Sequence, residues 1–565
     1  MSVNLLLRDF DRATDAPDAM LRLRRFVLDL AVRGKLTERS SDDEPASNLL
    51  SRIQCQLDVT ISRSSRRKSV RFEPITASEA PFSVPEGWIW TRVRQITRDR
   101  GQTVPTSAFT YIDVTAIDKE LGRLGAPVIM SATEAPSRAR KIVSRGDVLY
   151  SCVRPYLLNI AVIEHDLNPL PIASTAFAVL DGAGLVEPRY LWTVLRSPYF
   201  VECVEDKMRG LAYPAINDSD FSQLPVPLPP LAEQRRIVGK VEELMTLCDQ
   251  LESAQTEREL QRDALRSVSL YRLTATDEDV GTAAGVRFFL DTSPRLITKP
   301  NHVAPIRQTI LDLAVRGRLV PQDPGDEPAA ELLLRLRSSA NGSVAGNPKS
   351  QSEPFHLPTG WEWVRFPELG EFGRGKSKHR PRNDPVLYAG GLHPFIQTGD
   401  VARSGGLIRT FSTLYNDTGL AQSQMWPAGT LCITIAANIA DSGVLTFDAC
   451  FPDSVVGLIV SSEFTNCRYF EYFLRTAKAD LHSFAPSTAQ KNINLSILRD
   501  VMIPLPPLKE LNRIVTRVDE LMAVCDELEA ALESAQAERG RLLEALLYGA
   551  LEESSSTEAS IEEVV

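Results

Sequence analysis

The stretch that decides the fold occurs twice: residues 224–252 read LPVPLPPLAEQRRIVGKVEELMTLCDQLE, and residues 501–529 read VMIPLPPLKELNRIVTRVDELMAVCDELE. The shared part begins at Pro227 and Pro504 and keeps a constant offset of 277 residues. Proline lacks an N–H and restricts the residue before it, so the prolines favour an extended entry, after which the apolar spacing becomes that of a helix. Each copy is therefore predicted to be a strand followed by a long helix.

The apolar residues of both predicted helices recur at alternating spacings of four and three. This spacing is a heptad seam, along which two helices can pack side by side or join a small bundle. A single amphipathic helix packed on a core would show much the same residues, so the duplication, rather than the seam alone, favours a spacer of two long antiparallel helices. The seam residues are Ile237, Val241, Leu244, Cys248 and Leu251 in the first copy and Ile514, Val518, Leu521, Cys525 and Leu528 in the second.

A helical hairpin is repeated as well. Residues 28–36 (LDLAVRGKL) and 311–319 (LDLAVRGRL) differ at one position, with an offset of 283. The sequence Asp-Glu-Pro follows each of them, at 43–45 and 326–328, and opens a second helical segment. Because the offset holds across both elements, the hairpin is an internal repeat.

Two long middle segments, 84–230 and 357–507, are rich in strand and turn signals. Both open with Pro-x-Gly-Trp-x-Trp, in VPEGWIWTRV at 84–93 and LPTGWEWVRF at 357–366, which predicts a first strand with a buried tryptophan. Their contents diverge, but landmarks such as GDVL at 146–149 and GTLC at 429–432 persist. We interpret them as two copies of one mixed, β-rich domain.

The predicted fold class is α+β, with two β-rich domains separated by long helices and related by a pseudo-two-fold internal repeat. Such a repeat brings the helices at the two termini together in a cluster equivalent to the central one. The predicted parts are an N-terminal helical hairpin at 1–70, a first β-rich domain at 80–230, a central helical region at 231–345 (a long helix at 231–270, a connector, and a hairpin at 303–340), a second β-rich domain at 355–507, a long helix at 508–550, and a disordered acidic tail at 551–565.

Composition narrows the class of protein. The 565 residues are 43% hydrophobic and carry a net charge of −10, so any binding of nucleic acid must depend on local basic surface. The eight cysteines form no CxxC pair and fit thiols in a reducing compartment. Neither a signal segment nor an apolar run long enough to cross a membrane is visible, so the expected location is the cytoplasm.

The sequence shows no catalytic constellation, and its six histidines have no metal-ligand spacing, so we expect neither catalytic residues nor a metal in this chain. Residues 370–377 (GEFGRGKS) do match the phosphate-loop pattern, which would make the chain an ATP-using enzyme through Lys376. That loop requires a helix beginning at the Lys-Ser, and Pro381 and Pro385 leave no room for one. We interpret the match as a chance occurrence.

Basic and amide side chains in loops of the β-rich domains are the candidates for contact with DNA. Such loops on a rigid scaffold can follow phosphates and reach base edges, although a merely solvated charged loop would look similar. The candidates in the first domain are Arg98, Arg100, Arg154, Tyr156, Lys207, Arg209 and Tyr213. Those in the second are Arg374, Lys376, Lys378, Arg380 and Arg382, beside His379, and Gln490, Lys491 and Asn492.

Together these motifs resemble the DNA-specificity (S) subunit of Type I restriction-modification systems over residues 20–550. The resemblance lies in LPPLAEQRRIV and LPPLKELNRIV entering long helices, the LDLAVRGKL hairpins, the Pro-x-Gly-Trp-x-Trp openings and GDVLYSCVRPYL. The second copy departs from the pattern, with Leu511 where the first has Gln234.

The resemblance implies a function. Each β-rich segment would be a target recognition domain for one half of a bipartite double-stranded DNA sequence, and the helices would fix the spacing. Two methyltransferase subunits carrying S-adenosylmethionine would dock on the helical regions, and restriction subunits using ATP and magnesium would join, while this chain would hold no cofactor and do no chemistry. The alternative from the residues is a non-enzymatic protein–protein scaffold that dimerises through its coiled coil.

Overall fold

The computed structural model describes residues 14–64, 75–76, 79–210, 213–274, 281–339, 355–436, 439–483 and 495–562, with the side chains of 57–64, 281–285, 339, 479–483 and 552–562 left undescribed. The chain divides into two compact units. The first comprises Met1–Glu259 and Gln536–Val565, and the second comprises Leu260–Ala535.

Helices occupy both ends and the centre of the chain and recur at intervals within the domains. They are α1 Ala19–Val32, α2 Ala46–Ser64, α3 Val93–Ile96, α4 Pro188–Arg196, α5 Pro198–Glu205, α6 Asp218–Gln223, α7 Leu231–Thr274, α8 Gly281–Leu296, α9 Val303–Val315, α10 Ala329–Ser339, α11 Phe366–Leu369, α12 Thr398–Ala402, α13 Asp417–Ala421, α14 Arg468–Ser483, α15 Leu495–Asp500 and α16 Leu508–Glu562.

Strands are confined to the two middle segments, as predicted. Those of the first unit are β1 Ile89–Arg92, β2 Phe109–Ile112, β3 Ile117–Asp118, β4 Arg123–Leu124, β5 Val128–Met130, β6 Ala139–Ile142, β7 Val148–Ser151, β8 Ile160–Val162, β9 Pro171–Ser174, β10 Phe177–Leu180 and β11 Pro225–Leu228. Those of the second are β12 Glu362–Arg365, β13 Gly370–Arg374, β14 His393–Phe395, β15 Leu407–Ile408, β16 Thr413–Tyr415, β17 Met425–Trp426, β18 Leu431–Thr434, β19 Ser442–Leu445, β20 Ala449–Cys450, β21 Val455–Val460 and β22 Met502–Leu505.

The two β-rich domains share most of one sheet plan. Four strands of the five-stranded sheets correspond, whereas the fifth is β3 beside β4 in the first domain and β13 beside β21 in the second. Each contains a two-stranded sheet, β1-β11 or β12-β22, a five-stranded sheet, β10-β7-β8-β4-β3 or β13-β21-β18-β19-β15, and a four-stranded sheet, β5-β2-β9-β6 or β16-β14-β20-β17. Parallel strand pairs recur at equivalent places. In the five-stranded sheets, β4 pairs with β8 as β15 pairs with β19. In the four-stranded sheets, β2 pairs with β9 as β14 pairs with β20. The internal repeat predicted from the sequence is therefore a repeat of fold.

The strand that leads into each long helix tolerates its prolines because it is an edge strand. In β11, Pro225 and Pro227 pair with Arg92 and Trp90 of β1, and among the described residues no strand lies on the other side. Proline cannot donate to a ladder and is therefore restricted to such edges. The prolines that end β11 then give way to α7, whose first buried apolar residue on the heptad seam is Ile237.

Buried tryptophans join each β-rich domain to its long helix. Trp88 Nε1 donates a hydrogen bond to Glu233 Oε2 at 2.9 Å, and Trp361 Nε1 donates one to Glu510 Oε2 at 3.1 Å. Burial raises the pKa of both glutamates, while the hydrogen bond from the tryptophan opposes the rise. The tryptophans at 88, 90, 361 and 363 were predicted to anchor a core. Trp88 and Trp361 are buried in their core clusters, whereas Trp90 and Trp363 are only half-buried.

A second framework contact joins the helical hairpin to the start of the long helix. Arg236 Nη2 lies 2.5 Å from Asp43 Oδ2, and Arg513 Nη2 lies 2.7 Å from Asp326 Oδ2. The two aspartates come from the repeated Asp-Glu-Pro sequence. The hairpin and the long helix of each unit are thus held by the same ion pair.

The departure at Leu511 leaves the helix start intact. The backbone N–H of Gln234 donates to the carbonyl of Pro230 at 2.9 Å, and that of Leu511 donates to Pro507 at 2.8 Å. The Gln234 side chain also accepts from the backbone N–H of Glu187 at 2.9 Å, whereas Leu511 is fully buried in an apolar cluster. Apolar packing therefore replaces a hydrogen bond at one equivalent position.

In the first unit, α1 near the start of the chain packs against α16 near its end. Arg22 Nη1 donates to the carbonyl of Gly540 at 3.1 Å, and Lys35 Nζ donates to the carbonyl of Leu551, so α1 and α16 run parallel. The predicted terminal helical cluster is confirmed. Its buried apolar residues are Ala16, Ala19, Met20, Leu23, Cys248, Leu543, Leu546 and Leu547.

The direction of the long helices in this unit follows from α1. Arg24 Nη2 contacts Asp249 Oδ1 at 2.7 Å, whereas the carbonyl of Thr14, earlier in the chain, accepts from Gln255 Nε2 at 3.2 Å. Because α1 runs against α7 and along α16, α7 and α16 are antiparallel within this unit. The predicted antiparallel arrangement is confirmed here.

The second unit repeats these contacts at the same offsets. Arg307 lies 2.6 Å from Asp526 and 2.7 Å from Glu529, which matches Arg24 with Asp249 and Glu252 in the first unit. Arg318 Nη1 donates to the carbonyl of Thr274 at 3.3 Å, as Lys35 does to Leu551. The helical regions of the two units are built alike.

Two predicted boundaries differ from the structure. The connector after the first long helix contains α8, because its apolar piece at 286–290 is part of an amphipathic helix. The tail from 551, predicted to be disordered, continues α16 as far as Glu562. Neither proline nor glycine interrupts residues 551–562, so the end of the apolar seam at about 550 did not mark the end of the helix.

Candidate nucleic-acid interface

Two non-glycine residues with positive φ shape the turn between β7 and β8. Arg154 has φ +49° and Leu158 has φ +54°, on either side of a 3₁₀ turn at Pro155–Leu157. L-residues adopt the left-handed region at a steric cost, which persists where the surrounding structure imposes it. Here the Arg154 N–H donates to the carbonyl of Pro214 at 2.8 Å, and Arg196 Nη1 donates to the carbonyl of Leu158 at 3.0 Å.

Two of the predicted DNA-contact residues, Arg154 and Tyr156, lie at this turn, and a third, Tyr213, lies on the segment against it. The Arg154 guanidinium carbon lies over the ring of Tyr213, 4.9 Å from its centroid. Tyr213 is 71% exposed and Tyr156 is 42% exposed. We call Arg154, Tyr156, Leu157 and Tyr213 the aromatic turn.

Arg98 and Arg100 belong to a different cluster, in which carboxylates occupy their guanidinium groups. Arg98 Nε donates to Asp181 Oδ2 at 2.6 Å. Arg100 Nε donates to Asp147 at 2.7 and 3.0 Å, and Nη2 lies 3.2 Å from Asp181. Asp147 is fully buried, and burial raises its pKa while Arg100 opposes the rise.

The same two arginines line a cavity of about 260 Å³ in the first unit. Arg145 and Arg235, which the sequence analysis did not single out, lie on its wall, and both are exposed. Only Asp181 and Glu187 bring negative charge to the wall itself. A signal for Arg145 was available in its place next to the GDVL landmark.

The remaining candidates of the first domain lie on open surface. Lys207 and Arg209 are exposed, and Arg209 Nη2 is 3.2 Å from Asp220 Oδ2. Arg209 also forms an isolated backbone bridge with Ala215, close to Tyr213 in sequence. The structure therefore brings Arg209 to the segment that carries Tyr213.

In the second domain, three basic candidates extend from an edge strand. Arg374 ends β13, the first strand of its sheet, and Lys376 and Lys378 follow it. All three are exposed, and none forms an ion pair within the part of the chain that the structure describes. A Cβ at Gly375 would lie 2.2 Å from the carbonyl oxygen of Phe451, so glycine is required where this segment passes the core.

We call residues 374–382 the basic loop. Its remaining basic side chains lie next to carboxylates. Arg382 lies 2.5 Å from Asp453 Oδ1, and Arg380 lies 4.0 Å from Asp453 Oδ2. His379 Nε2 is 2.9 Å from Asp384 Oδ2; the backbone N–H of Val386, and then His379, hold the pKa of the Asp384 carboxyl below its ordinary value. Gln490, Lys491 and Asn492 lie outside the described residues.

A second cavity, of about 330 Å³, was not anticipated. Arg403, Arg409 and Phe411 line it, and Phe411 is 41% exposed with its ring 5.4 Å from that of Phe447. Asp400 binds Arg403 at 2.9 Å and caps the backbone N–H of Gln397. These residues are spread over a stretch without a recognisable motif, so the sequence offered no signal.

The phosphate-loop match at 370–377 lacks the required context. A strand, β13, does enter it, but the next helical element is the 3₁₀ turn Pro385–Leu387. Without a helix start at Lys376, the backbone N–H groups are not arranged to hold a phosphate in that way.

None of the described helices has the length and apolar character needed to span a membrane.

Comparison with known proteins gives a consistent result. The family model described as "Type I restriction modification DNA specificity domain" matches residues 174–262 and 358–539, and so falls in both units. The Type I restriction enzyme EcoEI specificity subunit of Escherichia coli is 29% identical over 94% of this chain and 93% of its own length. The EcoAI specificity subunit of the same organism is 27% identical with the same coverage.

A solved structure agrees with the sequence relatives. A chain from a study of the "structural basis underlying complex assembly and conformational transition of the type I R-M system" has a TM-score of 0.51 and 26% identity, covering 83% of this chain and 98% of that one. The chain that carries the repeated framework and the doubled proline-to-helix motif thus matches the family model, two sequence relatives and a solved structure of the same kind of protein. In both of its units the chain is similar to Type I restriction-modification DNA specificity proteins.

Proposed function

We propose that this chain is the DNA-recognition subunit of a Type I restriction-modification complex, with each β-rich domain binding one half of a two-part duplex sequence. The observation that carries the proposal is a repeated framework with unlike exposed surfaces. Trp88 with Glu233 and Trp361 with Glu510 hold the two domains to their helices in the same way. The exposed side chains differ, an aromatic turn in one domain and a basic loop in the other.

That combination suits the recognition of two different half-sites. Contacts to phosphate position a protein on DNA, whereas base edges are recognised by side chains that differ with sequence. Equivalent frames would hold the two domains in equivalent poses, and their different loops would select different bases. We therefore propose that the candidate residues of each domain lie on its DNA-facing surface.

The negative net charge is compatible with this role. Arg374, Lys376 and Lys378 form a local group of cations without acidic partners among the described residues. Binding that depends on phosphate requires such a group along the path of the backbone rather than a basic protein as a whole.

The helical regions provide surfaces for the other subunits. On α7, Leu265, Val268 and Tyr271 are 53%, 52% and 71% exposed. The equivalent of Tyr271 on α16 is Tyr548, which is 63% exposed. An exposed tyrosine at the same place in each unit is what docking of two copies of one partner requires, and we propose two methyltransferase subunits as that partner.

The chemistry is assigned to those partners. The methyltransferase subunits would carry S-adenosylmethionine, and restriction subunits would use ATP and magnesium. This chain would recognise double-stranded DNA in the cytoplasm, with no catalytic role. Scaffolding of protein partners alone would leave the unlike exposed loops of the two domains without a role.

Selection from random duplexes tests the proposal. The full chain, co-purified with its methyltransferase subunits, is incubated with a pool of random DNA, and the bound fraction is sequenced. We expect enrichment of one sequence composed of two short defined blocks and an unspecified gap of fixed length. Enrichment of a single continuous block, or no enrichment, would contradict the proposal, and the second result would favour the scaffold.

A further inference from the structure

Tyr213 is unusual among the rings of the β-rich domains. In the described part of the two domains no other aromatic side chain is as exposed. Aromatic rings bury large apolar areas, so a ring this exposed on a well-ordered sheet domain indicates a contact surface. The guanidinium of Arg154 lies over it and fixes its position from one side.

Several backbone contacts anchor the turn that carries Arg154. Pro155 is buried, and the flanking residues Arg154 and Leu158 are held in the left-handed region by the hydrogen bonds described above. Val153 forms a backbone bridge with Ala215, two residues after Tyr213, and ties the two segments together. Strain of this kind in a well-anchored turn is typical of sites that bind a ligand.

The surface beside the ring is apolar rather than charged. Tyr156, Leu157 and Val153 are 42%, 36% and 39% exposed. A flat ring, a guanidinium plane and adjacent apolar side chains are the groups that stack on nucleobases or enter between base pairs.

The equivalent turn of the second domain lacks these groups in its sequence. Its turn between β18 and β19, residues 435–441, reads IAANIAD and contains neither an aromatic residue nor an arginine. Of this turn, Ile439 and Ala440 are buried. The feature therefore belongs to one half of the molecule.

We propose that the aromatic turn is a stacking platform, on which a nucleobase of the half-site bound by the first domain packs against Tyr213. This rests on the proposed function, and it adds a mode of contact that acts in one half-site only. The platform contributes affinity through the face of a base. Its contribution does not depend on neutralising a phosphate.

Binding by ring variants tests the platform. The full chain with its methyltransferase subunits is titrated with its selected duplex, comparing Tyr213→Leu with Tyr213→Phe. We expect the leucine variant to bind about 10-fold more weakly, because stacking on an aromatic ring typically contributes that much, and the phenylalanine variant to bind like the parent. The dependence of log Kd on log salt should be the same in all three, since no phosphate contact changes.

Abasic duplexes locate the stacked base. One base at a time is removed from each half-site, and binding is measured for the parent and for Tyr213→Leu. At the stacked position the two changes should not add, because both remove the same contact, and this position should lie in one half-site only.

Three results would overturn the proposal. They are additivity at every position, parent-like binding by Tyr213→Leu, and equally weak binding by Tyr213→Phe. Failure of the proposed function is a different result, in which the parent complex itself selects no two-part duplex.

Discussion

Asp147 is fully buried in the first unit and pairs with Arg100, whereas the second unit has Thr430 and Gly373 at the equivalent positions. Thr430 is equally buried, and its Oγ1 donates to the carbonyl of Pro427 at 2.7 Å. One unit thus uses a charged pair where the other uses a neutral hydrogen bond. A buried charge that loses its partner is strongly destabilising, whereas replacing both partners is often neutral.

We expect Arg100→Ala to lower the free energy of unfolding by about 3 kcal/mol, because Asp147 would remain buried and unpaired. The double variant Arg100→Ala/Asp147→Thr should recover most of that loss by adopting the arrangement of the second unit. Urea unfolding followed by tryptophan fluorescence measures both. A double variant as unstable as the single one would show that the ion pair is not the cause.

The candidates chosen by residue type lie in different surroundings, and their role in DNA contact stays a prediction. Arg154 and Tyr156 lie at one turn, where the Arg154 guanidinium covers the exposed ring of Tyr213 from a neighbouring segment. Arg98 and Arg100 were chosen for the same reason, but acids 83 and 47 residues away occupy them. Pairing over such separations depends on strand register, which short-range patterns do not contain.

At the scale of elements, the repeated helices were the most predictable part of the fold. The heptad spacing and the hairpin repeat identified α7, α16, α1 and α9, because long periodic patterns leave little ambiguity. The connector was harder, since α8 has only a short apolar piece between an acidic stretch and a proline at 294. The many two- to four-residue strands carried almost no periodic signal of their own.

Lengthening the long helices should change the spacing of the half-sites without changing the half-sites. One heptad inserted after Leu251, with one at the equivalent Leu528, adds about 10 Å of helix and preserves the seam. We expect the unspecified gap to change by roughly three base pairs, at about 3.4 Å of rise each. Selection from random duplexes measures the gap.

A substitution in the long helix that adds no length serves as the control. It separates an effect on half-site spacing from a nonspecific effect of mutating the helix. Leu247 is 45% exposed on α7, and Leu247→Ala should leave the gap as it is in the parent. An unchanged gap in the lengthened protein would show that the helices do not set the spacing.

At the scale of the whole molecule, the two-unit frame makes the recognition domains separable. Replacing residues 84–230 with the matching segment of another family member should change one half-site and leave the other intact. The exchange works only if the incoming segment keeps a tryptophan at position 88, because Glu233 of α7 needs that donor. Methylome sequencing of a strain carrying the hybrid shows which bases changed. Changes in both half-sites would contradict independent recognition.

The joining of α1 to α16 has a consequence for how the protein is made. The first unit includes residues 536–565, so the ribosome completes the second unit before it has released everything the first unit needs. Until then Met20 and Leu23 lack the leucines at 543, 546 and 547 that cover them. A product of premature termination that lacked these leucines would leave the apolar stripe of α1 without the cover that it has in the complete fold.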